Sequence, residues 1–303
     1  MGLTIGPIQN LLELHNLGYL KNFNSVCDIG SEELHIKKED LKKLFEIAGL
    51  KTDLVEKYPD TYWPERPRTP AKFFYESLGL KEYQCIDING DFGGIPHDLN
   101  KPFVDKSKFN KFDIVTDFGS CEHIFNIGEG YRTMHNLTKP GGYIFVKQAV
   151  MKGNGYFTVD ESFFEGIAAA NNYKIIYNSF LITIDEKTDN GSYHEFHIPR
   201  NRKLLGLLNF EKFSNRELGQ ELMIYAVFQK TNKEEFKIPY QGRLMNDIYN
   251  LPAGFNRVYL KDPLGYTYVP SSTLVVEDVP FKKLISALID KIKKIVRIRM
   301  LKK

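Results

Sequence analysis

Ser25-Val-Cys-Asp-Ile-Gly-Ser-Glu-Glu33 decides how the rest of the chain is read. Val26, Cys27 and Ile29 make a short apolar run of the length of a buried strand, and Asp28 carries a carboxylate near its end. Gly30 then permits a tight turn in which the backbone can lie directly against a ligand. One Asp-x-Gly is a weak signal, because any strand can end in a glycine turn. Strand ends further along the chain add the weight. A second run, Tyr83-Gln-Cys-Ile-Asp87, again ends in an acid, and a third strand end at about 95–97 brings Asp98. A fourth run, Phe112-Asp-Ile-Val-Thr-Asp117, leads into Phe118-Gly-Ser-Cys-Glu-His123. Lys139-Pro-Gly-Gly142 is a turn that feeds Tyr143-Ile-Phe-Val146. Short, nearly continuous apolar runs of this kind fit a parallel sheet covered on both faces.

Taken in that order over roughly residues 25–150, the series resembles the class I S-adenosylmethionine-dependent methyltransferases. Phe112–Asp117 and Leu137–Val146 carry the resemblance best, the latter being similar to the family's leucine-x-lysine-proline-glycine-glycine turn. Glu32 and Leu34 stand where the family's loop usually has glycines, and the interval from Asp28 to Asp87 is longer than usual. The resemblance implies an α/β fold: a Rossmann-like, mainly parallel seven-stranded sheet with helices on both faces, plus insertions and a C-terminal extension. Residues 1–230 would form the methyltransferase domain and 231–303 the extension.

It also implies S-adenosylmethionine as cofactor, lying across the carboxyl ends of the strands where strand order reverses. Asp28 would accept from the methionine ammonium, with Gly30 and Ser31 presenting backbone. Asp87, followed by Ile88, would take both ribose hydroxyls, since a carboxylate offers two acceptors in one plane. Asp98 and Leu99 would sit near the adenine amino group, and Phe118 and Gly119 where the methyl is presented. Any one of these acids is equally readable as a turn or helix cap. Acids or glycines at four successive strand ends are harder to read that way.

A proton acceptor is needed only if the methyl acceptor must lose a proton. His123 is the candidate base, with Glu122 as its orienter or as second choice, and His97 is a weaker alternative. A structural histidine at a helix start is the competing reading. Residues 52–70 form a Pro-punctuated loop with Tyr62, the only tryptophan, Trp63, and the cations Arg66 and Arg68. These four would build a substrate shelf or lid, or else pack a rigid surface loop. In the insertion at 186–220, His194 and His197 tempt a metal reading. On a strand they point to opposite faces, and no nearby acid or Cys completes a set, so no metal is expected.

Helical periodicity outlines 7–19, 38–49, 71–78 and 162–171, and β-rich runs outline 174–184 and 222–230. The 303 residues and 42% hydrophobic content suffice for a substantial core. Cys27, Cys85 and Cys121 lack paired or CxxC spacing and read as buried thiols. Met1–Ile8 lacks a leader's basic-then-apolar pattern, and no stretch is apolar enough to span a membrane, so a cytoplasmic setting is expected.

The net charge of +3 hides an asymmetry: residues 281–303 hold nine Lys and Arg against one Asp, so the rest of the chain is net acidic. That excludes a nucleic-acid groove on the body. Phe281, Ile285, Leu288, Ile292 and Ile295 share a stripe among those cations. The stripe reads as a basic amphipathic helix that docks on the body, lies on an anionic membrane, or recruits a partner.

The function expected is methyl transfer to an O or N acceptor on a small molecule or a sugar or glycan-pathway intermediate. The alternative is a catalytically degenerate binding protein of the same fold, which Glu32 and Leu34 would favour. A nicotinamide oxidoreductase is disfavoured by the absence of GxGxxG. The oligomeric state is left open.

Overall fold

The computed structural model describes residues 2–56, 69–151, 154–185, 193–199 and 220–239. Tyr62, Trp63, Arg66, Arg68 and the basic helix expected at 281–303 lie outside the described residues. In chain order the elements are β1 (Gly2–Leu3), α1 (Ile5–Asn16), β2 (Ser25–Ile29), β3 (Glu33–Leu34), α2 (Lys38–Ile47), α3 (Asp53–Glu56), α4 (Lys72–Ser77) and β4 (Glu82–Asp87). They continue with β5 (Ile95–Pro96), β6 (Phe112–Phe118), α5 (Ile127–Leu137), β7 (Thr138–Met151), α6 (Glu161–Ala170), β8 (Lys174–Asp185), β9 (Tyr193–Pro199) and β10 (Gln220–Gln229).

The main sheet has the order β5-β4-β2-β6-β7-β10-β8-β9. Its first five strands are parallel, running outward from β2 to β5 and then restarting on the other side of β2 with β6. This is the doubly wound arrangement, and its order reverses between β2 and β6. β10 is antiparallel to both β7 and β8 and lies between them. Where seven strands were expected, the main sheet has eight among the described residues. Part of the 186–220 insertion pairs as β9 along β8, extending the edge by one antiparallel strand.

Alternation along the strands sorts the core into two layers. Tyr143, Phe145, Tyr225 and Val227 face α1, α2 and α4, while Ile144, Val146, Ile224 and Ala226 face α5 and α6. Phe45, Phe74 and Phe145 are fully buried in the first layer, and each such side chain contributes roughly 1.5–3 kcal/mol of burial. At the amino ends of β2 and β6, Asp113 accepts from both backbone and hydroxyl of Ser25 and pairs with Lys139 at 2.8 Å. The lysine of the Lys-Pro-Gly-Gly turn thus sets strand register at the end of the sheet opposite the crevice.

At the crevice end, β1 pairs with β3 directly after the Gly30 turn. Lys147 of β7 donates to the Gly2 carbonyl and to Thr4, so the start of α1 is pinned beside that turn. From there α1 crosses to the edge, where Gly6 bonds Glu195 and His197 of β9. Residues 231–239 return along α5 and α6, burying Phe236 and accepting from His135 and Asn171. No helix among the described residues is long and apolar enough to cross a membrane.

Candidate functional site

The switch point between β2 and β6 brings three short segments together: Gly30–Glu32 after β2, Asp87 at the end of β4, and Phe118–Ser120 at the end of β6. Gly30 has φ +93°, the left-handed region that the Asp-Ile-Gly pattern anticipates. Its N–H donates to the Ile86 carbonyl at 2.8 Å, and the N–H of Ser31 donates to Asp87 Oδ2 at 2.8 Å. Asp87 therefore braces the turn with one oxygen. Its other oxygen receives only a long contact, 3.4 Å, from the N–H of Asn89, and keeps acceptor capacity for a ligand. Ile88 beside it is 68% exposed, an apolar surface next to an acid.

Gly119 has φ +99°, and a Cβ there would meet nothing within 4 Å among the described residues. The Gly119 turn thus leaves space beside the main chain at the end of β6, at the switch point. Phe118 contributes backbone only, since its ring stacks on Tyr225 in the core.

Asp28 behaves differently from expectation. It is 0% exposed and accepts from Tyr75 (3.0 Å), Tyr83 (2.9 Å) and Thr116. Burial pushes its pKa up to about 7, against the opposing pull of those three hydroxyls. Strand alternation turns Asp28 to the face covered by α4, under the sheet rather than over its end. Its oxygens are taken by the protein itself.

Asp98 lies on the surface, where bonds from Asn100 and then Lys101 hold its pKa low. Leu99 is buried in the layer beneath α5, and His97 packs its ring edge-on to Phe103, with Nε2 3.1 Å from the Lys101 carbonyl. Ser31 is buried and its hydroxyl bonds the Asp91 carbonyl.

Beyond β6, Asp117 Oδ1 accepts from the N–H groups of Ser120 and Cys121, and its Oδ2 from Gln148 at 2.5 Å. This capping fixes the short turn that carries Glu122 and His123. Glu122 is buried against β7, where its Oε2 accepts from the Ala149 N–H at 3.1 Å. His123 is partly exposed with Nε2 3.6 Å from Glu122 Oε1, longer than a hydrogen bond but within ion-pair reach. Burial lowers its pKa, leaving a neutral imidazole at pH 7.

Chain similarity adds little weight. No protein-family model matches the chain, and no curated protein matches it. Solved structures similar to it include the 1,6-didemethyltoxoflavin-N1-methyltransferase of Burkholderia thailandensis, 11% identical over 74% of this chain and 79% of that one, with a TM-score of 0.37. A SAM-dependent methyltransferase of Thermotoga maritima is 10% identical over 73% and 91%, with a TM-score of 0.35. One from Archaeoglobus fulgidus is 15% identical over 72% and 94%, with a TM-score of 0.34. All three are methyltransferases. At such identities and scores, the site's own geometry has to carry the function.

Two features of that geometry go beyond what the sequence shows. Phe125 and Tyr156 are 73% and 70% exposed and meet edge-on at 5.8 Å, with Phe157 6.4 Å from Phe125. They form an exposed aromatic platform whose Phe125 lies two residues along the chain from His123. The loop holding Tyr156 is anchored by the Glu122 carbonyl, which accepts from the N–H groups of Tyr156 and Phe157. Gly155 lets it come this close, as a Cβ would run into the Glu122 backbone. The Gly-Asn-Gly-Tyr-Phe stretch just after a strand end was the available signal. The second feature is the setting of Glu32, fully buried beside the Gly30 turn, with Oε2 lacking a hydrogen-bond partner among the described residues.

Proposed function

We propose that the chain is an S-adenosylmethionine-dependent methyltransferase that moves a methyl group to an O or N acceptor on a small molecule. The observation that carries this reading is Asp87, which braces the Gly30 turn through Oδ2 while keeping Oδ1 for a ligand, at the switch point of a doubly wound sheet. That arrangement suits a ribose diol held at a strand end with backbone close beside it. The orphan Oε2 of Glu32 and the open side of Gly119 fit a ligand in the crevice rather than a filled one.

When bound, the cofactor supplies a methyl group on a positively charged sulfur, so transfer depends on alignment and exclusion of water more than on protein acids. Asp87 would hold the ribose hydroxyls and Ile88 would cover an adjoining apolar surface. The backbone of Gly119 would border the reacting region. His123, neutral at pH 7, would accept a proton from an acceptor that must lose one, with Glu122 stabilising the imidazolium that results. The Phe125–Tyr156–Phe157 platform suits a planar or apolar acceptor, which it would orient by stacking.

Calorimetric titration with S-adenosylmethionine and S-adenosylhomocysteine tests the cofactor, and methyl release with planar O and N acceptors tests the reaction. Binding without turnover on any acceptor would leave a cofactor-binding protein in place of an enzyme. Absence of binding would remove the reading altogether.

A further inference from the structure

The family's loop usually has a glycine where this chain has Glu32, and the structure places that side chain between the Gly30 turn and β6. Oε1 accepts from the Phe118 N–H at 3.2 Å. The Ser120 hydroxyl lies 3.4 Å from the same oxygen, but its single proton is directed at the Ile29 carbonyl, the much closer acceptor. Oε2 has no partner. A carboxylate with no exposure and a bare oxygen is costly, and such groups call for an ion, a ligand or a proton. Burial raises the pKa of Glu32; nearby positive charge, that of Lys147 included, works against the rise, and the charges of Asp28 and Asp117 add to it. The net effect is still a strong rise, which a further cation against Oε2 would offset.

The other acid of this region cannot take that part. Asp28 is enclosed by Tyr75, Tyr83 and Thr116, and a cation would have to displace their hydroxyls from beneath the sheet. Glu32 and Asp87 flank one residue, Ser31, whose N–H is already gripped by Asp87. Ser31 thus has Asp87 bonded to its N–H and Glu32 as its chain neighbour, which brings an acceptor oxygen for hydroxyls and a buried orphan carboxylate oxygen to one turn. A ligand with a ribose at one end and an ammonium at the other matches both.

We propose that Glu32, and not Asp28, receives the α-ammonium of the cofactor's amino acid part. This rests on the cofactor reading above. The test compares two ligands, S-adenosylhomocysteine and 5′-methylthioadenosine, which keeps nucleoside and thioether but lacks the amino acid. Both are titrated calorimetrically into the full chain and into Glu32→Gln. The substitution is expected to weaken S-adenosylhomocysteine about 10–100-fold, the range of a charge-assisted bond, and to leave 5′-methylthioadenosine within about twofold. Equal losses for both ligands, or no loss for either, would overturn the assignment while leaving the cofactor reading intact. A parent protein that binds neither ligand sinks both. Should Glu32→Gln fail to fold, Glu32→Asp, which withdraws the charge by one methylene, is read the same way. Asp28→Asn should leave the ratio of the two affinities unchanged, and collapse of the ratio in that variant alone would return the ammonium to Asp28.

Discussion

The main-chain N–H of Ser31 donates to Oδ2 of Asp87 across 2.8 Å, tying the turn after β2 to the end of β4. One carboxylate thereby shapes the turn and, on the proposed reading, also holds the ribose. Asp87→Ala should weaken S-adenosylhomocysteine binding by roughly 2–4 kcal/mol, the scale of two bonds to a charged acceptor. Because the Ser31 N–H also loses its partner, the melting temperature should fall slightly. Calorimetry and thermal denaturation read the two effects separately, and unchanged affinity would exclude Asp87 from the ribose role.

Asp28 should make stability depend on pH in a distinctive direction. Its folded-state pKa, raised by burial to about 7, lies above the ordinary 3.8, so the folded protein holds this proton more tightly than the unfolded chain does. Its stabilising contribution is full below about pH 4 and is lost as pH rises to about 7. Unfolding free energies of the parent and of Asp28→Asn, measured from pH 4 to 8, should differ by an amount that drifts across that window and levels off above it. A difference that is constant throughout would contradict the enclosed carboxylate.

His123→Ala should lower turnover by about 10²–10⁴-fold while cofactor affinity holds, if the imidazole takes a proton from the acceptor. Because burial lowers its pKa, the acid limb of the parent's rate profile should fall below pH 6.5, the ordinary value. Unchanged turnover on a true acceptor would make His123 structural.

Gly155→Ala should act on the acceptor side alone. The added Cβ overlaps the Glu122 backbone, so the loop bearing Tyr156 has to move, at a cost of about 1–3 kcal/mol. A lower melting temperature and reduced turnover are expected, with S-adenosylhomocysteine affinity preserved. A variant with parental turnover would remove the aromatic platform from acceptor binding.

Strands β2, β4 and β6 were legible because each is a short apolar run ended by an acid or glycine, and β7 because its apolar run follows Pro-Gly-Gly, patterns that neighbouring residues alone produce. The Gly30 turn was legible for the same reason. The eighth strand was not. Tyr193–Pro199 has a helix or loop competitor until β8 offers it an edge, and that pairing is made by tertiary contact. The platform also went unread, since Phe125 and Tyr156 are separated along the chain and meet only because the Glu122 carbonyl holds the second loop.

The sequence by itself determined the succession of strands, the positions of their turns and the presence of acids at their ends, because periodicity and glycine conformation are local properties. Only the tertiary structure decided which acid keeps an oxygen without a donor. Asp28 is closed off by hydroxyls from Tyr75, Tyr83 and Thr116, which lie 47, 55 and 88 residues away. Glu32 has one oxygen held by the N–H of Phe118, 86 residues on, while no donor among the described residues reaches the other. A carboxylate's availability is set by the donors that surround it, and here those donors arrive from other strands and helices.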